Sequence, residues 1–144
     1  MALPRWDRGT PGWLVVGGLH AIPISTAVRA GDRRLVFALG RSRGTLARLR
    51  QDPHAAFCLM GRDAAFTAHG RARILGELAS APVIAVELTV AGVQDHLADG
   101  RTEMLGGPAY RWRDERAAAV EPRIMDELAR IGAASTERER GEHG

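Results

Sequence analysis

The sequence of 144 residues has the length of a single domain, and a chain of this length buries enough surface to fold without a disulfide or a structural metal. Its formal charge is +3 and its isoelectric point is about 10.3, because every basic side chain is arginine and none is lysine. This modest excess is interspersed with acidic residues and few aromatic ones, which argues against nucleic-acid binding.

The chain has one cysteine, Cys58, so no intramolecular disulfide can form. It lies in an apolar run, and we therefore interpret it as a small buried core residue. The sequence shows no secretory signal and no apolar run long enough to span a membrane. These features predict a cytoplasmic protein in a reducing compartment.

The first half of the chain predicts short strands. Residues 13–16 form an apolar run that ends at two glycines. Residues 22–28 alternate with period two and predict a strand, and residues 34–39 predict another. The turn signal at residues 30–32 joins these two strands into a hairpin.

The pattern then changes to a short helix and back to strands. Apolar spacing predicts a helix over residues 45–50, which Pro53 stops. Residues 55–60 are apolar throughout and predict a strand buried on both faces. Residues 66–75 alternate strictly and predict a long strand, and residues 85–93 predict the final one.

A helix is predicted near the C-terminus. Pro122 fits its first turn, and Gly132 fits its C-terminal stop. Its apolar stripe consists of Ile124, Leu128 and Ile131. We expect residues 1–134 to form one domain and the polar residues 135–144 to be a disordered tail. The order of elements predicts a mainly β (α+β) fold, an antiparallel barrel of about six strands with a short internal helix and a C-terminal helix.

The segment between the second long strand and the internal helix has the composition of an anion site. Arg41, Ser42, Arg43 and Thr45 stand just before the helix, where arginines and hydroxyls can bind a phosphate. The alternative is that Ser42 or Thr45 merely caps the helix and the arginines are solvated. The histidines show no metal-ligand spacing, and neither a nucleophile elbow nor a P-loop is present.

The order and spacing of five segments resemble the pyridoxamine-phosphate-oxidase-like family of flavin-binding split barrels. The segments are residues 22–28, 35–42, 45–53, 55–60 and 67–75. The resemblance implies a split β-barrel homodimer with FMN in the cleft between subunits, acting as a flavin-dependent oxidoreductase on an unidentified small molecule. A deazaflavin cofactor, or a flavin- or haem-binding carrier or sensor without turnover, are the alternatives. We assign no catalytic side chain, because the cofactor performs the redox chemistry in such sites.

The resemblance also implies which residues would lie along the flavin ring. Ile24, Ser25 and Thr26 match the strand beside the isoalloxazine ring, with backbone or hydroxyl groups on its pyrimidine edge. Tyr110 and Trp112 are the candidates for the residue by which a second subunit closes the ring pocket. The alternative for these two aromatic residues is simple packing under the C-terminal helix.

For the phosphate arm, the resemblance implies contacts from the end of a strand. Leu39, Arg41 and Ser42 match that strand end. Thr45 falls where many members place a phosphate-binding lysine, so the phosphate charge must be met by arginine. The arginines available in this segment are Arg41, Arg43 and Arg48.

Overall fold

The computed structural model describes residues 1–41 and 44–142, except for the side chain of Glu139, and its described strands form one antiparallel sheet. The strands are β1 (Gly12–Val16), β2 (His20–Ile24), β3 (Val28–Arg29), β4 (Arg34–Gly40), β5 (His54–Gly61), β6 (Ala64–Glu77) and β7 (Val83–Asp95). The helices are α1 (Thr45–Gln51) and α2 (Glu115–Glu142). Neither described helix combines the length and the apolar character that a membrane crossing needs.

The sheet curls into a half-barrel. Its strand order is β2-β1-β5-β6-β7-β4-β3, so β2 and β3 form opposite edges although they are consecutive in the chain. Only residues 25–27 connect them, and the four Cα–Cα steps from Ile24 to Val28 span at most about 14 Å. The two edges must therefore approach each other, which confirms the antiparallel barrel predicted from the sequence.

The predicted strand over residues 22–28 is wrong in one respect, because it consists of two strands. β2 pairs with β1, whereas β3 pairs with β4 through Val28–Val36 and Arg29–Leu35. The predicted hairpin is reduced to those two pairs. The chain bends at Ser25, and the inward face passes from Ile24 to Ala27, so that Val28 packs on the outer side of the sheet. The alternation of residue types in the sequence continues through this break and does not reveal it.

The main core fills the inside of the half-barrel. Phe37, Phe57 and Phe66 are fully buried there. Trp6 packs on Phe57 and Phe66, with ring centroids 6.1 and 5.4 Å apart. The Trp6 indole N–H donates to the carbonyl of Ala27, at 3.2 Å, which ties the N-terminal segment to the crossover at residues 25–27.

The outer face of β5 is not buried, contrary to the prediction. Phe57 and Leu59 point inward, but Met60 is 57% exposed on the other face. Cys58 is half-buried on that outer face and is not the core residue we expected. The described part of the chain places no element over this face, so its apolar side chains stay partly in contact with solvent.

Helix α2 begins earlier than predicted. Asp114 accepts a hydrogen bond from the backbone N–H of Arg116 at 2.8 Å and so caps the helix. Pro122 is consequently the eighth helical residue and does not lie in the first turn. The predicted apolar stripe is confirmed, since its members pack against the outer side of β3, β4 and β7. They are Ile124, Leu128 and Ile131.

Helix α2 also ends later than predicted. Gly132 does not stop the helix; it is a close-approach point, where an added Cβ would lie 2.7 Å from the Cβ of Ala30. Ser135 is buried, and the Thr136 hydroxyl donates to the carbonyl of Ala30 at 3.2 Å. Where we expected a disordered tail, helix α2 continues as far as Glu142. Composition missed this because the contacts are made by small polar residues.

Candidate functional site

A groove of about 310 Å³ lies between the facing edges of the half-barrel and the first turns of α2. One wall comes from β2 and the crossover, namely Ile22, Pro23, Ile24, Ser25 and Thr26. The opposite wall comes from β4 and β7, namely Ala38, Leu39, Gly40 and Val83. The α2 side and rim consist of Trp112, Ala117, Val120, Glu121 and Ile124.

The structure brings together at the groove four of the six residues predicted along the ring and at the strand end. Ile24 and Leu39 are buried and form apolar walls, while Ser25 and Thr26 are half-buried. The Thr26 hydroxyl donates to the carbonyl of Ala38 at 3.2 Å and accepts from its N–H at 3.1 Å. The one O–H of that hydroxyl is thus used in joining the barrel edges, so the predicted ring donors that remain are the backbone groups of Ser25 and Thr26 and the Ser25 hydroxyl.

The two predicted aromatic residues lie on an irregular arm, residues 102–114, of this same chain. Their rings meet edge to face, with centroids 6.0 Å apart and an interplanar angle of 89°. The Tyr110 hydroxyl donates to one oxygen of Glu121, and the Trp112 indole N–H donates to the other. Trp112 lines the groove directly, whereas Tyr110 lies in an adjoining hollow.

The Tyr110 phenol is electrostatically perturbed. Burial raises its pKa above 10, and the hydrogen bond to Glu121 raises it further, while a contact with the Ser25 hydroxyl acts in the opposite direction. A phenolate would place a second negative charge beside the Glu121 carboxylate. The neutral phenol is therefore the form that this arrangement favours.

The predicted phosphate segment is only partly associated with the groove. Arg41 follows Gly40, which lines the groove, and its guanidinium is 56% exposed and paired with Glu77. Ser42 and Arg43 lie outside the described residues. Arg41 is thus the one cation of the predicted set, within the described residues, that is adjacent in sequence to a groove-lining residue.

Thr45 and Arg48 are not placed as expected. The Thr45 side chain is fully buried, and its hydroxyl is 3.0 Å from Nε2 of His20. Arg48 donates to the carbonyl of Gly17 at 3.3 Å. Thr45 is therefore unavailable to an anion at the surface, and Arg48 supports the turn after β1. Thr45 does not cap α1 either, because the cap position is Gly44.

Glu121 is the site residue that our sequence reasoning missed. A signal for it does exist in the sequence. The groove face of α2 has the spacing i, i+3, i+4, i+7, and its members are Ala117, Val120, Glu121 and Ile124. A carboxylate at a stripe position that should be apolar indicates a polar partner on the facing element.

Comparison with solved structures identifies the fold. A conserved hypothetical protein from Mycobacterium tuberculosis matches with a TM-score of 0.52 and 17% identity, over 69% of this chain and 86% of that one. HupZ of Group A Streptococcus matches with a TM-score of 0.52 and 11% identity, over 68% and 90%. A candidate pyridoxamine 5′-phosphate oxidase from Lactobacillus delbrueckii matches with a TM-score of 0.50 and 11% identity, over 59% and 84%.

The chain has the split β-barrel fold of the pyridoxamine 5′-phosphate oxidase-like structures. This confirms the fold that the order of segments implied. No protein-family model matches the sequence, and a comparison with curated proteins gives no match. In this split barrel the groove lies where the two barrel edges face each other, and its walls are mostly apolar with an indole at the rim. Such a groove suits a flat aromatic ring better than a sugar or a highly charged ligand.

Proposed function

We propose that this chain binds FMN in the groove and acts as a flavin-dependent oxidoreductase. The observation that carries the proposal is the slot itself, with Ile24 and Leu39 on facing walls and Trp112 at its rim. The split-barrel fold and the oxidase name of one structural neighbour support the same reading. When bound, the flavin would supply the redox chemistry, and the chain would orient it and exclude water.

The residues present fit the two parts of FMN differently. A volume of about 310 Å³ is at the lower end for ligand pockets, so the groove suits a ring system and leaves the phosphate arm outside. Arg41 directly follows the groove residue Gly40, and a guanidinium can bind a phosphate through two hydrogen bonds. We infer that the phosphate would take the place of Glu77 as the partner of Arg41.

The test of this placement is titration of the apoprotein with FMN and with riboflavin. Arg41→Ala should weaken FMN binding by about tenfold to a hundredfold, because a charge-assisted hydrogen bond contributes roughly 1.5–3 kcal/mol. Riboflavin lacks the phosphate and should bind almost as before. Arg48→Ala is the matched control, since Arg48 is held at Gly17 and should leave both affinities unchanged.

Two results would contradict the proposal. If Arg41→Ala leaves the ratio of the FMN and riboflavin affinities unchanged, the phosphate is not at Arg41. If bound FMN is not bleached by any nicotinamide donor, the oxidoreductase activity is not supported and a carrier or sensor role is favoured.

We further infer that a second copy of the chain covers the outer face of β1 and β5. Trp13 and Met60 are 55% and 57% exposed there, and Cys58 lies opposite Trp13 in the pairing register. Large exposed apolar side chains on a strand face are typical of protein interfaces. In sedimentation velocity the chain should be a dimer and Trp13→Asp a monomer. Leu19→Asp is the control and should remain a dimer, because Leu19 is exposed in the turn after β1 and away from this face. A monomeric wild type would refute the inference.

A further inference from the structure

One carboxylate connects the irregular arm to the groove. Each oxygen of Glu121 accepts a hydrogen bond from a different ring, the phenol of Tyr110 and the indole of Trp112. Glu121 is half-buried on the groove face of α2, and it lines both the groove and the hollow behind Tyr110. The charge of the carboxylate is therefore met by two donors at the rim of a mostly apolar slot.

Burial alone does not hold the two rings. Tyr110 is 44% exposed and Trp112 is 45% exposed, and neither belongs to the core clusters. The arm has another anchor further up the chain, where the N–H of Asp63 donates to the carbonyl of Met104 at 3.1 Å. Between that anchor and the start of α2, Glu121 is the partner that both rings share. The Ser25 hydroxyl is a second contact of the Tyr110 phenol and not of the indole.

We propose that Glu121 is a positioning residue that holds Trp112 as the aromatic side wall of the groove, where the ring of the bound ligand packs. The identity of that ligand as a flavin rests on the function proposed above. The two hydrogen bonds by which Glu121 holds Tyr110 and Trp112, called the clamp below, do not rest on that function, because they are present in the chain without ligand. The indole donates its one hydrogen bond to the carboxylate, and the Tyr110 bond to the other oxygen holds the carboxylate in the orientation that receives it.

Tyr110 provides a direct probe of the clamp, because it is the only tyrosine in the sequence. Burial and then the Glu121 hydrogen bond raise its pKa. The charged groups that face it are Glu121 and Arg8, and Arg8 is paired with Asp126. Since the neutral phenol is favoured in the fold, the contribution of the clamp to stability is present below pH 10 and is lost as the pH rises through the raised pKa.

The first experiment is an ultraviolet titration of the tyrosine in the ligand-free protein. The wild-type phenol should titrate above pH 10, and Glu121→Gln should lower its pKa because the neighbouring negative charge is removed. Glu115→Gln is the control, since Glu115 is exposed in the first turn of the same helix. If Glu121→Gln titrates like the wild type, the clamp does not exist.

The second experiment measures flavin affinity by fluorescence quenching. Glu121→Ala and Trp112→Ala should each weaken FMN and riboflavin by the same factor, about threefold to tenfold, because the ring contact is common to both ligands. The double variant should lose no more than either single variant. If Trp112→Ala weakens binding but Glu121→Ala does not, the positioning role is refuted. A wild type that binds neither flavin refutes the proposed function, while the tyrosine titration still decides the clamp.

Discussion

Replacing Gly132 by alanine tests how α2 is docked on the barrel. The added Cβ would lie 2.7 Å from the Cβ of Ala30, whereas carbon atoms rest about 3.5–4.0 Å apart. The helix would have to retreat by roughly 1 Å, and such overpacking costs about 1–3 kcal/mol. With a urea m-value of about 2 kcal/mol/M, this cost alone lowers the unfolding midpoint by roughly 0.5–1.5 M.

The expected loss is partly offset by the higher helix propensity of alanine, which is worth about 0.8–1 kcal/mol over glycine. A second substitution separates the two effects. In an Ala30→Gly background the clash is absent, so Gly132→Ala should stabilise the protein. Gly141→Ala, where an added Cβ meets nothing within 4 Å, should not destabilise it. If Gly132→Ala costs the same with and without Ala30→Gly in urea unfolding, the close approach is not what the glycine is needed for.

Two further predictions follow from hydrogen bonds near the site and at the start of β5. Thr26→Val should lower the free energy of unfolding by about 1–3 kcal/mol, because the carbonyl and the N–H of Ala38 both lose their hydrogen bond to the hydroxyl. The control is Thr67→Val, at an exposed contact, which should change the free energy of unfolding by less than about 0.5 kcal/mol. Equal effects of the two variants in urea unfolding would contradict this prediction. The pKa of Asp52 is lowered first by the hydrogen bond from the backbone N–H of His54 and then by the bond to the His54 ring. The stability that this carboxylate contributes is therefore present above pH 3.8 and is lost as the pH falls through the lowered pKa of Asp52. In an NMR titration, His54→Ala should raise the Asp52 midpoint only part of the way to 3.8, since the backbone bond remains; an unchanged midpoint would show that the ring has no role.

The strands that alternate strictly could be placed from the sequence, because one buried face imposes period two on the side chains. The break at residues 25–27 could not, since the residue types keep alternating although the chain bends at Ser25 and Val28 turns to the outer face. The end of α2 was misread because a mid-helix glycine at a close approach looks like a stop signal. The prediction that both faces of β5 are buried was wrong because an apolar sequence indicates a buried strand whether or not the same chain provides an element that packs on its second face.

The candidate site was predictable in its apolar part and not in its polar part. Ile24 and Leu39 belong to the barrel core and line the groove because it lies at the ends of β2 and β4. Whether Thr45 could reach a phosphate depended on the direction of its side chain at the start of α1. That direction is set by a hydrogen bond to His20, which lies twenty-five positions earlier in the sequence. Glu121 could have been found as a carboxylate on an apolar stripe, but its partners on the arm have no periodicity that places them.

The central claim is that the groove beneath α2 holds the flavin ring, and a pair of variants on one helix tests it most directly. Ala117 lines the groove, whereas the neighbouring Ala118 is exposed. Leucine keeps the helix propensity at either position, but only Ala117→Leu adds carbon atoms inside the slot. In calorimetric titration with FMN, Ala117→Leu should bind at least about tenfold more weakly than the wild type, a loss of roughly 1.4 kcal/mol or more, and Ala118→Leu should bind like the wild type. Equal FMN affinities for the two variants and the wild type would show that the ring lies elsewhere.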